Sequence, residues 1–151
     1  MYKNLTINNH NNMKNIFRIF VLLVFISSYS CKAQLVQTTE DMYKLKENEQ
    51  QFINKPLKNL LKEIKPEIKM ANGIGENPYF FSFRFRTLEE QNKGLGSNAD
   101  KVSLYVYVKE AFDWKWEERP KGDEFKWTKE EIDKYGNLIV VRIKVINRPK
   151  E

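Results

Sequence analysis

The side chains that most often carry out enzyme chemistry are nearly absent from this chain. Its only cysteine is Cys31 and its only histidine is His10, so residues 32–151 contain neither. Thiol nucleophiles, serine–histidine–aspartate triads, zinc or copper sites with nitrogen or sulfur ligands, and disulfide bonds all require at least one of these side chains. The sequence after Cys31 therefore excludes these sites, and we predict a protein without catalytic residues, metal or cofactor.

A hydrolytic carboxylate pair has one possible source in the sequence. Such a pair must flank the scissile bond at roughly 5–9.5 Å, with one acid in an apolar pocket. Basic residues alternate with the candidate acids, which is typical of a solvated, charge-balanced loop. A carboxylate-dependent hydrolase is therefore a third hypothesis, after two binding functions. The acids concerned are Asp113, Glu117, Glu118, Asp123 and Glu124.

Two stretches, residues 79–86 (YFFSFRFR) and 101–109 (KVSLYVYVK), alternate apolar and polar side chains with a period of two. This period predicts strands that each have one buried face. The strands should pair as an antiparallel hairpin, because a parallel pair would need a longer crossover. Their outward face would then carry aromatic and basic side chains: Phe80, Arg84, Arg86, Tyr105, Tyr107 and Lys109.

Aromatic rings beside guanidinium groups suit a protein partner or a sugar, since both offer apolar faces with hydrogen-bonding rims. We therefore predict a partner-binding face that uses Arg84, Arg86, Tyr105 and Tyr107. The same side chains could instead cover one another and only hold the two strands together. The sequence leaves both interpretations open.

All three tryptophans, Trp114, Trp116 and Trp127, lie close together in the sequence. Residues 112–117 alternate again, which favours an edge strand or an extended flap. If Trp114 and Trp116 are exposed there, they extend the partner-binding face or form a glycan platform. If they point inward, they belong to the core, and Trp127 packs onto the helix that follows it. Glycan binding through these aromatic side chains is therefore the alternative to protein binding.

The beginning of the chain has the composition of an export signal. Lys14 and Arg18 precede an apolar run over residues 19–26, and small residues follow it. The run is too short for a membrane-spanning helix, which needs about 20 apolar residues. We therefore predict a signal peptide over residues 1–30. A start at Met13 would give a more compact signal and would leave His10 untranslated.

The end of this signal, Ser28-Tyr29-Ser30-Cys31, resembles the lipobox of bacterial lipoproteins. The resemblance implies cleavage before Cys31 and attachment of acyl chains to its sulfur. Each buried methylene of such a chain contributes about 0.8 kcal/mol to membrane binding, and two or more chains make the attachment stable. The expected location is then the cell envelope, anchored to a membrane. Cleavage after Ala33 is the alternative and would give a soluble periplasmic or secreted protein.

Charge argues against nucleic acid as a partner. The chain has 26 basic and 20 acidic residues, and three basic but no acidic residues precede Cys31. The chain after cleavage would therefore carry a net charge of only +3. Interspersed charges with this small excess are not the footprint of a nucleic-acid-binding protein.

The predicted helices and strands together form one α+β domain. Thr128 and Glu131 form a capping box before the helix at 129–135, and Gly136 suits a left-handed position after it. The last strand has apolar residues on both faces and is predicted to be central. The predicted elements are, in order, a helix at 40–53, a second helix between Asn54 and Pro66, a turn at 72–75, the strands at 79–86 and 101–109, the helix at 129–135 and a strand at 138–146.

This order predicts two N-terminal helices packed on a three- or four-stranded, mainly antiparallel sheet, with a short helix before the last strand. The predicted domain covers residues 39–148, and residues 31–38 form a tether before it. Together the sequence predicts a small, non-enzymatic, lipid-anchored envelope protein that acts as a binding or accessory module for another macromolecule.

Overall fold

Four strands pair in chain order into one antiparallel sheet: β1 (Met70–Ile74), β2 (Phe80–Arg84), β3 (Ser103–Val108) and β4 (Val140–Ile146). The structure is a computed structural model that describes residues 33–146. The predicted signal peptide, the lipidation site Cys31 and the last five residues lie outside this range. The fold is α+β, as predicted, with short helices around the sheet.

Strands β2 and β3 each bury one face, as their alternating residues predict. Phe81 lies opposite Val106 and Phe83 lies opposite Leu104, and all four side chains are fully buried. Burying a phenylalanine contributes about 1.5–3 kcal/mol, so the inward face of this strand pair is a main source of stability. The predicted antiparallel pairing of these strands is confirmed.

Among residues 33–146, four short α-helices accompany the sheet: α1 (Tyr43–Glu47), α2 (Leu57–Leu61), α3 (Leu88–Asn92) and α4 (Lys129–Tyr135). Tight helical turns at Thr39–Met42 and Glu49–Gln51 flank α1. The stretch predicted as one helix over 40–53 is therefore helical in three short pieces. Helix α3 lies between the two predicted strands, where no helix is predicted. Buried side chains of α1 and α2 belong to the same core cluster as the inward sheet face: Leu45, Leu57 and Leu60.

The prediction of a turn at residues 72–75 is wrong, because residues 72–74 belong to strand β1. Ala71 lies opposite Phe83 and Gly73 lies opposite Phe81. Position 73 requires glycine because other side chains pack closely against it. A Cβ atom at Gly73 would lie 2.7 Å from the ring of Phe112. Glycine inside a strand often marks such a close approach.

The central position predicted for the last strand is also wrong, because β4 forms an edge of the sheet. Its first half is covered by other parts of the chain. The amide of Asn54 donates to the carbonyl of Val140, and the amide of Ile143 donates to the carboxylate of Glu49 at 2.5 Å. The second apolar face is partly open, since Val141 is 42% exposed. Apolar residues on both faces therefore do not indicate a central strand here.

Helix α4 has the predicted bounds and the predicted capping box. The amide of Thr128 donates to the carboxylate of Glu131 at 2.8 Å, and the Thr128 hydroxyl accepts from the amide of Glu130. Gly136 does not adopt the predicted left-handed conformation, because its φ is −63°. It is glycine for a steric reason, since a Cβ atom there would meet the carbonyl oxygen of Ile132.

Part of the segment predicted as a tether is folded against the domain. Val36 is fully buried. Its amide donates to the carbonyl of Glu63, and its carbonyl accepts from the amide of Lys65, both at 2.9 Å. The chain is therefore held in place from this residue onward.

Candidate functional site

The register of the four strands arranges the outward side chains in three rows across the sheet. Each row takes one residue from each strand, so neighbouring side chains in a row are cross-strand partners. No acidic residue occupies these positions, and Arg84, Arg142 and Lys144 give the face a positive charge. The rows are Ile74, Phe80, Tyr107 and Arg142; Asn72, Ser82, Tyr105 and Lys144; and Met70, Arg84, Ser103 and Ile146.

Three aromatic rings meet in the middle of this outward face. The ring centroid of Phe80 is 5.9 Å from that of Tyr105 and 5.2 Å from that of Tyr107. The guanidinium of Arg142 lies 5.3 Å from the Tyr107 ring centroid. All three rings are half-buried, so they hold the strands together and still present surface to a partner. The structure thus brings together the predicted binding residues Tyr105 and Tyr107.

Arg84 lies on the same face, beside a groove. Its Nη1 donates to Oε1 of Gln91 at 3.1 Å, which holds the guanidinium against helix α3. A depression of about 260 Å³ lies next to it, and a second one of about 420 Å³ shares three of its lining residues. The side chains common to both depressions are Met70, Leu88 and Phe125. The two depressions therefore form one groove beside β1.

Arg86 does not lie on the open face, contrary to the prediction from alternation. Strand β2 ends at Arg84, and only 9% of Arg86 is exposed. The loop after α3 covers it, and its Nη1 donates to the carbonyl of Leu95 at 3.0 Å. Gly96 makes this possible, because its φ is +92° and a Cβ atom there would lie 2.9 Å from Cδ of Arg86.

Trp114 and Trp116 do not form a common platform. Trp114 is partly buried against the core, with its ring centroid 5.8 Å from that of Phe81. Trp116 is 45% exposed and stacks on Phe125. The two separate because the alternation ends in a tight turn at Trp116–Glu118, and residues 112–115 before it form no strand.

Arg119 holds the loop that carries Phe125, a role that the sequence did not indicate. Its guanidinium donates to the carbonyls of Glu124 and Lys126 at 2.8 Å and to Glu131 at 2.7 Å. It also lies 5.0 Å from the ring centroid of Trp114. The loop in turn is bound to the sheet edge, since the carbonyl of Phe125 accepts the amide of Ala71 at 2.7 Å. An aromatic residue in a charged loop was the only sequence signal for this arrangement.

The loop also fixes the charge state of Glu131. Burial acts to raise the pKa of this carboxyl, but the hydrogen bonds from Thr128 and the charge of Arg119 outweigh it and lower the pKa below its usual value. Glu131 is therefore held as a carboxylate and serves the structure.

The acids considered for hydrolysis are mostly exposed and paired with lysines. Lys115 lies 3.0 Å from Glu118 and 3.7 Å from Asp113, and the two acidic side chains are 69% and 70% exposed. The hydrogen bond with Glu118 raises the pKa of Lys115. Asp123 lies 3.8 Å from Lys126. Within residues 33–146, no group of three or more potential metal-ligating side chains comes together.

In the described part of the chain, no helix combines the length and hydropathy needed to cross a bilayer. Comparison with protein-family models, curated proteins and solved structures gives no match. The functional hypothesis therefore depends on the outward sheet face and on the N-terminal sequence.

Proposed function

We propose that this chain is a non-enzymatic binding module of the cell envelope, held to a membrane by acyl chains on Cys31. It binds another macromolecule through the outward sheet face around Tyr105, Tyr107 and Arg84. The observation that carries the proposal is the composition of this face: three adjoining aromatic rings with Arg84, Arg142 and Lys144 and without an acidic side chain.

Such a face favours a partner that offers apolar surface and negative charge. Tyrosine and arginine are enriched where protein interfaces bury most of their area, because each combines a flat contact surface with hydrogen-bonding groups. Phe80, Tyr105 and Tyr107 already restrain one another, so little conformational entropy is lost when a partner covers them. A charge of one sign also speeds association with an acidic partner.

The proposed anchor would keep the domain close to the membrane. Only five peptide bonds separate Cys31 from Val36, where the chain is already packed against the domain. Five extended residues span at most roughly 18 Å. A partner would therefore be another component at the same membrane surface.

Photocrosslinking in the native host tests the binding face. A photoreactive phenylalanine analogue replaces Tyr105 in one variant and Tyr43 in a matched control. Tyr43 is 49% exposed on helix α1 and belongs to none of the outward sheet rows. We expect a discrete crosslinked species from residue 105 and none from residue 43. Equal crosslinking from both positions, or from neither, would contradict the proposal.

Intact mass and membrane fractionation test the anchor. The wild-type chain should be membrane-bound and heavier than its polypeptide by the mass of acyl chains, and Cys31→Ala should remove both properties. A soluble species that begins at Gln34 would contradict the anchor and indicate a secreted or periplasmic protein. The crosslinking experiment would then be carried out on the soluble fraction.

Glycan binding is a second candidate, because one exposed tryptophan adjoins the groove. Trp116 stacks on Phe125, with ring centroids 6.1 Å apart, and Phe125 lines the groove beside β1. Polygalacturonate, an acidic sugar polymer, should then bind the protein, and Trp116→Ala should weaken that binding. Neutral dextran is the control polymer. Binding of neither polymer would remove this candidate.

A further inference from the structure

Arg86 is a buried cation with an unused hydrogen-bond donor. Only 9% of the residue is exposed, and the one hydrogen bond that its guanidinium donates among residues 33–146 runs from Nη1 to the carbonyl of Leu95. Its Nε is buried and has no partner in this part of the chain. An unpaired buried donor on a charged group raises the free energy of the folded protein. A ligand that accepts a hydrogen bond from Nε would remove this cost.

A small cavity of about 20 Å³ lies at this place. Three of its lining side chains are cationic, and one is acidic. None of the ion pairs formed within residues 33–146 includes any of the three cations. The lining residues are Arg84, Arg86, Gln91, Asp100, Lys101, Val102 and Ser103.

The one acid at the cavity is already engaged elsewhere. Oδ1 of Asp100 accepts the hydroxyl of Thr39 at 2.8 Å, and Oδ2 accepts the amide of Ser97 at 3.3 Å. Both of its oxygens therefore bond to neutral donors. The cavity keeps an excess of positive charge.

The two arginines are fixed in place before any ligand binds. Gln91 accepts from Arg84 through Oε1 and donates through Nε2 to the carbonyl of Arg86 at 3.1 Å. Gly96 packs against the stem of Arg86 from the other side. A site with this rigidity loses little entropy when it binds an anion.

We propose that this cavity binds a carboxylate group of an acidic partner, with Nε of Arg86 as the buried donor. The planar guanidinium fork matches a carboxylate, and Lys101 adds a second cation. A cavity of this size holds one group about as large as a water molecule. One oxygen of a carboxylate fits this space, and its second oxygen remains at the opening beside the other cations.

The carboxylate site deepens the proposed function, because Arg84 belongs to both the cavity and the outward sheet face. The proposed function determines which partner supplies the carboxylate. The affinity of the cavity for a carboxylate does not depend on the proposed function. The two are tested separately: acetate reports on the cavity, and crosslinking from residue 105 reports on the face. Failure of one leaves the result of the other unchanged.

The test is an NMR titration of the mature protein with acetate at constant ionic strength. The signal of the Arg86 Nε–H group, assigned by its loss in Arg86→Lys, is followed together with those of exposed arginines. We expect a saturating shift of this signal with acetate and a much weaker one with chloride, which offers no second acceptor atom to the neighbouring cations. An unchanged signal, or equal shifts with both anions, would overturn the proposal.

Two variants locate the ligand. Lys101→Gln should weaken acetate binding about 3- to 10-fold by removing one cation, while Lys129→Gln, which removes an exposed cation on helix α4 outside the cavity, should leave it unchanged.

Discussion

Gly73 lies against the side chain of Trp114, so close that a Cβ atom at residue 73 would be 2.9 Å from Cγ of the indole. The ring of Phe112 is closer still, at 2.7 Å. We therefore expect Gly73→Ala to destabilise the protein by about 1–3 kcal/mol, the usual cost of overpacking a core. Urea denaturation followed by circular dichroism measures this free energy of unfolding.

A double-mutant cycle separates overpacking from other effects of this substitution. Phe112→Leu should make room and recover part of the stability that Gly73→Ala loses, so the two changes should not be additive. Additive losses would mean that the contact between the glycine and the aromatic segment does not cause the destabilisation.

Strands β2 and β3 and helix α4 could be predicted because their signals are local. In both strands the alternation itself places Phe81, Phe83, Leu104 and Val106 on one side. In the helix, the cap and its partner lie three residues apart. No distant part of the chain is needed to interpret these patterns.

Strand β1 and the burial of Arg86 could not be predicted because distant residues decide them. Gly73 suggests a turn in the sequence, and only the structure shows that Phe112 packs against it. Alternation directs Arg86 outward, and only the loop around Gly96 encloses it. The candidate face was thus predicted in its central part, around Tyr105 and Tyr107, while its groove and its cavity depend on loops whose positions the sequence does not reveal.

Tryptophan accessibility distinguishes a shared platform from the separated arrangement. Trp116 is 45% exposed, whereas Trp114 and Trp127 pack against the core. We expect Trp116→Phe to remove most of the fluorescence that acrylamide quenches readily. Trp127→Phe is the matched control and should leave that fraction in place. If Trp114→Phe removed as much of the readily quenched fluorescence as Trp116→Phe, both indoles would be exposed. This result would support a shared glycan-binding platform.

Arg119 should keep the loop at the edge of β1 closed. Lysine preserves its charge but lacks the planar fork that reaches two carbonyls and Glu131 together. We expect Arg119→Lys to accelerate hydrogen exchange of the Ala71 amide, which donates to Phe125, by about tenfold, the equivalent of about 1.4 kcal/mol.

The Ile143 amide provides the control for this exchange experiment, because it donates to Glu49 at the other edge of the sheet. Its exchange rate should stay the same if the loop opens locally. Equal acceleration of both amides would indicate a global loss of stability instead, and no change in either would show that Arg119 does not hold the loop.

Stability should fall in acid in a way that depends on Glu131. The pKa of this carboxyl is lower in the folded protein than its usual value of 4.5, because the hydrogen bonds from Thr128 and the charge of Arg119 outweigh the effect of burial. A lowered folded-state pKa means that the stabilisation is complete above about pH 4.5 and is lost as the pH falls through the folded-state value. We expect Glu131→Gln to lower the free energy of unfolding by about 2 kcal/mol at pH 7. The difference from wild type should shrink below pH 4.5, as measured by urea denaturation across the pH range.

Glu130→Gln, which removes an exposed acid one residue away, should change stability less and should leave the acid dependence in place. A constant difference between wild type and Glu131→Gln from pH 7 to pH 3 would show that the charge of Glu131 does not stabilise the fold.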